Sequence, residues 1–291
     1  MDTKGLALHG ADPFRLSETH AAMALSPASS PVPPPPSPRA GARTEAARIE
    51  AVDALRGLAM VWMTVFHFCF DLSHFGYWPQ DFRADPFWTV QRTAIVSLFL
   101  FCAGLGQAIA WSQNVAWARF WRRWGQIAFC ALLVSAGSYL MFPNSFIHFG
   151  VLHGMAVMLV IVRCTAGWGA GLWLPGAVAL AAPWLGAWLL AGPAAAWAPA
   201  FNGGALNWLG VVTRKPFTED YVPLLPWLGV MWWGMAAGQW ALRRRAGWLY
   251  AGLPRVMRPL VLLGRWSLSY YMLHQPVLIG TLLAVGWLAG R

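Results

Sequence analysis

Charged residues are scarce in this sequence of 291 residues. They make up 11% of the chain, while hydrophobic residues make up 58%. Soluble globular proteins have roughly a quarter charged and about half apolar residues. The positive mean hydropathy of +0.48 agrees with this apolar composition. The composition therefore excludes a soluble globular protein and predicts an integral membrane protein.

Cysteine is scarce too, and the familiar nucleotide motifs are absent. The four cysteines lie singly on different apolar stretches, without CxxC or Cys/His ligand spacing. They are expected to be small core residues, so we predict neither a disulfide nor a metal site. GxGxxG and GxxxxGK[ST] do not occur, which leaves nucleotide hydrolysis without support. The paired broken helices of many inverted-repeat transporters are also not evident.

Long apolar stretches dominate the rest of the chain. Each is about 20 residues long, the length that crosses a hydrocarbon core as a helix, and helices satisfy their own backbone groups in lipid. These windows lie near residues 52–71, 92–111, 124–142, 149–166, 170–191, 223–241 and 267–288. The predicted fold class is therefore all-α, a polytopic transmembrane helical bundle of about seven spans.

The basic residues predict the orientation of this bundle. With seven spans, 16 of the 21 Lys and Arg fall on the side of the N-terminus, and five fall on the other side. The positive-inside rule then places the N-terminus in the cytoplasm and the C-terminus outside. A basic cytoplasmic rim beside anionic membrane lipid accounts for the net charge of +10, so we do not expect nucleic-acid binding.

The first residues form a region of different composition. Residues 1–47 contain the run Pro33 to Pro36 and no long apolar stretch, which predicts a disordered, Pro-rich cytoplasmic tail. No secretory signal is evident. Residues 48–291 are predicted to be the membrane domain.

Ionisable residues inside the first span indicate a functional site. Arg56 and His67 are 11 residues apart, which places them on one helix face about 16 Å apart along the axis. Asp71 lies one turn beyond His67 on the same face. A carboxylate beside an imidazole fixes its tautomer and raises its basicity, as a general base requires. The alternatives are that Arg56 merely snorkels to the surface and that His67 is a structural interfacial residue.

Other histidines lie in the outer half of the predicted bundle. His74 follows the first span, His148 and His153 lie at the start of the fourth, and His274 lies within the seventh next to Gln275 and Pro276. The proline loosens that helix and frees a carbonyl. Each histidine alone is more simply explained by a structural hydrogen bond, but their shared location favours a site.

Six ordered segments carry a family resemblance. They are residues 48–59, 66–72, 97–104, 149–153, 221–229 and 264–276. Together they resemble bacterial members of the heparan-α-glucosaminide N-acetyltransferase catalytic-domain family. The Arg56 to His67 spacing also resembles the Arg-x10-His signature of membrane acyltransferases that modify bacterial surface glycans.

The resemblance implies an acyltransferase in the bacterial cytoplasmic (inner) membrane. It would move an acetyl or similar acyl group from a cytosolic acyl-CoA such as acetyl-CoA to the O or N of a glycan or sugar acceptor outside. With this activity, Arg56 would bind CoA phosphate, and His67 with Asp71 would form the catalytic centre.

Lesser roles are predicted from position alone. Arg92, His153, Tyr221 and Trp227 would lie near the acceptor, while His274 and Gln275 would line a passage at the membrane midplane. Two other classes stay open at this point. A transporter or flippase for a small glycan or anionic metabolite would use the same residues for proton relay or binding. A non-catalytic membrane scaffold would tolerate apolar replacements at all of them.

Overall fold

The computed structural model describes residues 49–244, 247–250 and 252–290. The predicted Pro-rich tail lies outside the described residues. The described residues form helices joined by loops, and the one extended pairing among them is an isolated bridge between Phe149 and Tyr221. The α-helices in this part are α1 (Glu50–His74), α2 (Pro86–Ser112), α3 (Trp117–Met141), α4 (Val151–Cys164), α5 (Trp173–Ala191), α6 (Ala198–Asn202), α7 (Leu224–Arg243), α8 (Gly247–Tyr250), α9 (Arg258–Arg265) and α10 (Ser267–Leu288).

Five of the helical segments described are long and apolar enough to cross a membrane. They are Glu50–His74, Pro86–Ser112, Trp117–Met141, Ala166–Ala191, which joins a 3₁₀ segment to α5, and Ser267–Leu288. The all-helical membrane architecture is thus confirmed. The windows predicted near 149–166 and 223–241 form α4, which has only 14 residues, and α7, whose four tryptophans lower its hydropathy. A count of seven spans therefore stays a prediction.

Glycines allow the closest helix contacts. A β-carbon at Gly104 of α2 would collide with the carbonyl of Met231 on α7, and one at Gly234 of α7 would collide with the carbonyl of Phe101. Small residues let backbones approach in this way where lipid supplies no hydrophobic drive. The core is built beside this crossing and contains fully buried side chains from α2, α4 and α7, namely Leu100, Met158, Val162, Met231 and Met235.

Contacts between helix ends gather much of the basic charge at one end of the bundle. Arg163, near the end of α4, donates to the carbonyl of Val115 and lies over the Trp111 and Trp117 rings. Gln239, near the end of α7, donates to the carbonyl of Ala166 at 2.8 Å. The ends of α2, α4 and α7 therefore lie together with the start of α3. The start of α1 lies there too, because Val52 clusters with Leu105 of α2 and Ala241 of α7. We call this the basic end.

The opposite end contains the loops that precede α2, α4 and α7. Asp85 caps α2 by accepting the Phe87 N–H at 2.8 Å, and Pro86 is the first residue of that helix. The loop before α7 lies along the loop before α4. Glu219 N–H donates to the Ser145 carbonyl at 2.9 Å, and Val222 N–H donates to the Phe149 carbonyl at 3.2 Å. The loop before α7 therefore adjoins the start of α4, the helix that carries His153.

Candidate active site

Two histidines from opposite ends of the sequence meet between α1 and α10. The rings of His67 and His274 have centroids 5.1 Å apart and are inclined at 65°. His67 is partly exposed, whereas His274 is only 8% exposed. A hydrogen bond between Thr64 and the Tyr270 hydroxyl, at 2.7 Å, joins the same two helices one turn nearer the basic end. The structure thus brings together two residues that the sequence separates by more than half of the chain.

Asp71 and Gln275 form a second link between these helices. The Gln275 side-chain amide donates to Asp71 Oδ1 at 2.7 Å, and Asp71 is 2% exposed. Hydrogen bonds to a carboxylate are shorter and stronger than those between neutral groups. The link lies about one turn further along α1 than His67, so it fixes α10 against α1 at the imidazole pair.

The predicted hydrogen bond from His67 to Asp71 is not formed in the described structure. Asp71 instead reaches across to Gln275, and His67 Nδ1 is buried without a hydrogen-bond partner. The four-residue spacing does put both side chains on one helix face, as predicted. A partner on the neighbouring helix takes the carboxylate, and the spacing within α1 could not reveal that partner.

We call His67, Asp71, His274 and Gln275 the α1–α10 group. Four buried polar atoms of this group have no hydrogen-bond partner among the described residues. They are His67 Nδ1, Asp71 Oδ2, His274 Nε2 and Gln275 Oε1. Leaving a buried polar atom unpaired costs about 1–3 kcal/mol, and such atoms are rare in native proteins. Four of them on adjacent side chains are therefore expected to serve a ligand rather than stability.

Arg56 lies toward the basic end of α1, three turns from His67. Its Nη1 is 3.2 Å from Asp53 Oδ1, one turn earlier, and its side chain is 18% exposed. The guanidinium also faces α2, because a β-carbon at Gly106 would lie 3.4 Å from Arg56 Nη2. It is therefore held within the bundle rather than extended to the surface. A guanidinium has five N–H donors, more than the contact with one Asp53 oxygen uses.

His153 has a different environment at the start of α4. Its Nε2 is 3.0 Å from Ser135 Oγ, and its Nδ1 accepts the Gly150 N–H at 3.4 Å. Ser135 donates its own hydrogen to the Ile147 carbonyl at 2.6 Å, so it must accept from His153 Nε2. Both ring nitrogens are thus occupied. His153 holds the start of α4 against α3 and has no lone pair left for a substrate.

The loop before α7 carries the other predicted acceptor residues. The Tyr221 hydroxyl donates to the Asn207 carbonyl at 2.6 Å, which fixes this loop on the preceding one. Burial raises the pKa of Tyr221 to about 12, so this hydroxyl stays protonated near neutral pH. Trp227 packs against the main core. Among the described contacts, none joins Tyr221 or Trp227 to His67 or His274.

Arg92 lies near Asp220 of the same loop. Asp220 accepts the Val151 N–H at 2.8 Å at the start of α4. Burial raises the pKa of the Asp220 carboxyl, while the Val151 N–H and the charge of Arg92 act in the opposite direction. Arg92 itself is exposed. Asp220 thus ties the loop before α7 to the start of α4, with the charge of Arg92 on α2 nearby.

The catalytic family model for heparan-α-glucosaminide N-acetyltransferase matches residues 48–276. This chain belongs to that family. The match covers most of the chain and includes every predicted site residue from Arg56 to Gln275. It confirms the resemblance of the six segments. No curated protein and no solved structure matches the chain.

Membership in the N-acetyltransferase family gives the chain its enzyme class, a membrane acetyltransferase. The matched region ends at Pro276, directly after Gln275, so it contains all four residues of the α1–α10 group. Within the part of the chain that is described, no three His, Cys, Asp or Glu side chains converge as a metal site would require.

Some residues of the site were not found by reasoning from the sequence. Tyr271 supplies a carbonyl at 2.7 Å from His274 Nδ1, and Ser135 pairs with His153. Ser135 could have been suspected, because it is a polar residue within an apolar window. Tyr271 gave a weaker signal, its position three residues before His274. Its role depends on the backbone, which side-chain types do not reveal.

Proposed function

We propose that this protein transfers an acetyl group from cytosolic acetyl-CoA to the amine or hydroxyl of a sugar on the far side of a bacterial cytoplasmic membrane. The reaction centre is the group between α1 and α10, with His67 and His274 beside the reacting atoms. Asp71 and Gln275 hold the two helices at the distance that this pair needs.

The four unpartnered polar atoms of this group carry the proposal. A scaffold helix pair would be more stable with apolar side chains at these positions, because lipid offers no water to compensate buried polar atoms. Acyl transfer needs such groups, since a proton must leave the acceptor and the developing charge on the thioester oxygen must be stabilised. The family match supports the same reaction class.

The donor is proposed to enter from the basic end. Arg56 binds CoA phosphate there as a charged fork, and the arginines at the neighbouring helix ends add to the positive field. One helix links Arg56 to His67, and 11 residues correspond to about 16 Å of rise. An extended pantetheine arm can cover a length of this order, so its thioester would reach the imidazole pair while the phosphates stay at the basic end.

The acceptor is proposed to enter from the opposite end, past the partly exposed His67. This arrangement requires the N-terminus in the cytoplasm and the C-terminus outside, with seven spans that include α4 and α7. Fusions of a periplasm-dependent reporter test the orientation. A fusion after Arg245 should be inactive and one within residues 192–222 should be active; the reverse would contradict the orientation.

Transfer itself is tested in sealed vesicles that contain the full chain. Radiolabelled acetyl-CoA is supplied on the basic side and glucosamine on the other, and covalently acetylated sugar is measured after separation. Acetylated sugar is the expected product. Movement of unmodified sugar without acetylation would instead identify a transporter, and neither outcome would be expected from a scaffold.

A further inference from the structure

The hydrogen bond of His274 determines its tautomer. His274 Nδ1 lies 2.7 Å from the carbonyl oxygen of Tyr271. A carbonyl oxygen can only accept, so Nδ1 must carry the hydrogen. The backbone of α10 thus fixes which ring nitrogen is protonated, independently of any side chain.

The other nitrogen, Nε2, is left as a base. It is buried and has no hydrogen-bond partner among the described residues. A ring protonated on both nitrogens would bury an unpaired charge here, which is far more costly than the neutral ring. His274 therefore presents a lone pair at Nε2, in the group where the four unpartnered atoms meet. His67 lacks such a constraint, because its Nδ1 is unpartnered.

We propose that His274, rather than His67, is the general base of the acetyl transfer. This inference rests on the proposed function. The Nε2 lone pair takes the proton from the sugar amine or hydroxyl as that atom attacks the thioester carbonyl. The carbon–sulfur bond then breaks, and the CoA thiolate leaves with the proton that His274 returns. Acetylated sugar and CoA thiol are the products, and His274 is restored.

The Tyr271 carbonyl gives this step a physical basis. When Nε2 takes the proton, the ring becomes positively charged, and the Nδ1–H bond to the carbonyl becomes charge-assisted and stronger. The carbonyl therefore stabilises the protonated ring more than the neutral ring. An interaction that strengthens in this way as the proton is transferred lowers the barrier. The His67 ring, with its centroid 5.1 Å from that of His274, is the neighbour of this base and does not take the proton itself.

Asparagine at position 274 tests the base directly. The amide of His274→Asn can still donate to the Tyr271 carbonyl from nearly the same place as Nδ1, but it has no nitrogen lone pair at the position of Nε2. The matched variant is His67→Asn. Thr64→Val controls for packing, because it removes the Thr64–Tyr270 bond at the same helix interface without touching either imidazole.

Rates are measured with purified full-length protein, acetyl-CoA and glucosamine. Losing a general base costs about 10²–10⁴-fold in rate. We expect kcat of His274→Asn to fall at least tenfold below that of His67→Asn, with the KM for acetyl-CoA within threefold of wild type and with Thr64→Val nearly normal. A smaller gap, or the reverse order, overturns the proposal. If wild type transfers no acetyl group, the proposed function fails instead.

Two further measurements remain decisive if His274→Asn does not fold. Added imidazole should restore transfer to His274→Ala more than to His67→Ala, because it replaces the missing base. Nitrogen NMR of wild-type protein labelled with ¹⁵N-histidine reads the tautomer without any reaction. The His274 signals should show a protonated Nδ1 and an unprotonated Nε2, and the opposite tautomer overturns the inference.

Discussion

His153 and His274 show how differently one side chain can be used in this bundle. His153 at the start of α4 has both ring nitrogens in hydrogen bonds, to Ser135 and to the Gly150 N–H. His274 on α10 has one nitrogen on a backbone carbonyl and the other buried without a partner. The first arrangement stabilises a contact between helices. The second gives up stability and keeps a basic lone pair, which is typical of a reactive site.

The comparison gives a rule for this bundle. Replacing a residue of the α1–α10 group should slow transfer more than it destabilises the fold, and replacing His153 should do the opposite. The experiments on His67, Asp71 and His153 measure both quantities, as transfer rate and as thermal unfolding temperature in detergent, and the experiment on Arg56 measures CoA binding; the expected effects decrease from one to the next.

Among these four variants, the largest effect is expected for His67→Ala. It removes the imidazole that the proposal places beside the base His274, so the transfer rate should fall by about 10²-fold, less than for loss of His274 itself. Unfolding should be nearly unchanged, because His67 Nδ1 makes no hydrogen bond in the described structure. Transfer within threefold of wild type would remove His67 from the site.

Arg56→Lys extends the comparison to the basic end. Lysine keeps the charge but loses the fork that can bind two phosphate oxygens, so acyl-CoA binding should weaken by about 1–3 kcal/mol. The control is Arg83→Lys in the loop after α1, where the guanidinium lies over the Phe217 ring. Calorimetry with CoA measures the affinity of both variants, and only Arg56→Lys should bind more weakly than wild type. Equal affinity of Arg56→Lys and wild type would make Arg56 a structural anchor only.

Asp71→Asn should have a smaller effect, a loss of about tenfold in transfer. An amide oxygen can still accept from Gln275, but the bond is no longer charge-assisted and holds α10 less firmly against α1. Asp81→Asn, the same change in an exposed turn, should leave the rate unaltered. If Asp71→Asn matched the defect of His67→Ala, the carboxylate would act in the chemistry itself.

The smallest effect on rate is expected for His153→Ala. The buried Gly150 N–H would lose its side-chain partner and Ser135 would lose one of its two hydrogen bonds, which costs about 1–3 kcal/mol of stability for a buried group left unpaired. The unfolding temperature should therefore fall while transfer stays within about twofold. A dead but fully stable His153→Ala protein would contradict the distinction between the two histidines.

Much of the molecule could be predicted without the structure. Apolar windows gave the helices, because any stretch in lipid must satisfy its own backbone groups. The polar residues of the first helix pointed to His67 and Asp71, because an ionisable group within a span is too costly to keep without a use. The pairing of these residues could not be predicted in the same way, since Gln275 and His274 approach them across more than half of the sequence.

What the sequence alone determined was the membrane class, the family and the helix that carries the first half of the site. Those depend on composition and on spacing along one helix, which are local properties. The tertiary structure alone decided that His67 faces His274, that Asp71 binds Gln275 rather than His67, and which nitrogen of His274 is protonated. The physical reason is that a tautomer depends on what lies within hydrogen-bond distance of each ring nitrogen, and for Nδ1 of His274 this is backbone carbonyl oxygen, which every residue type possesses.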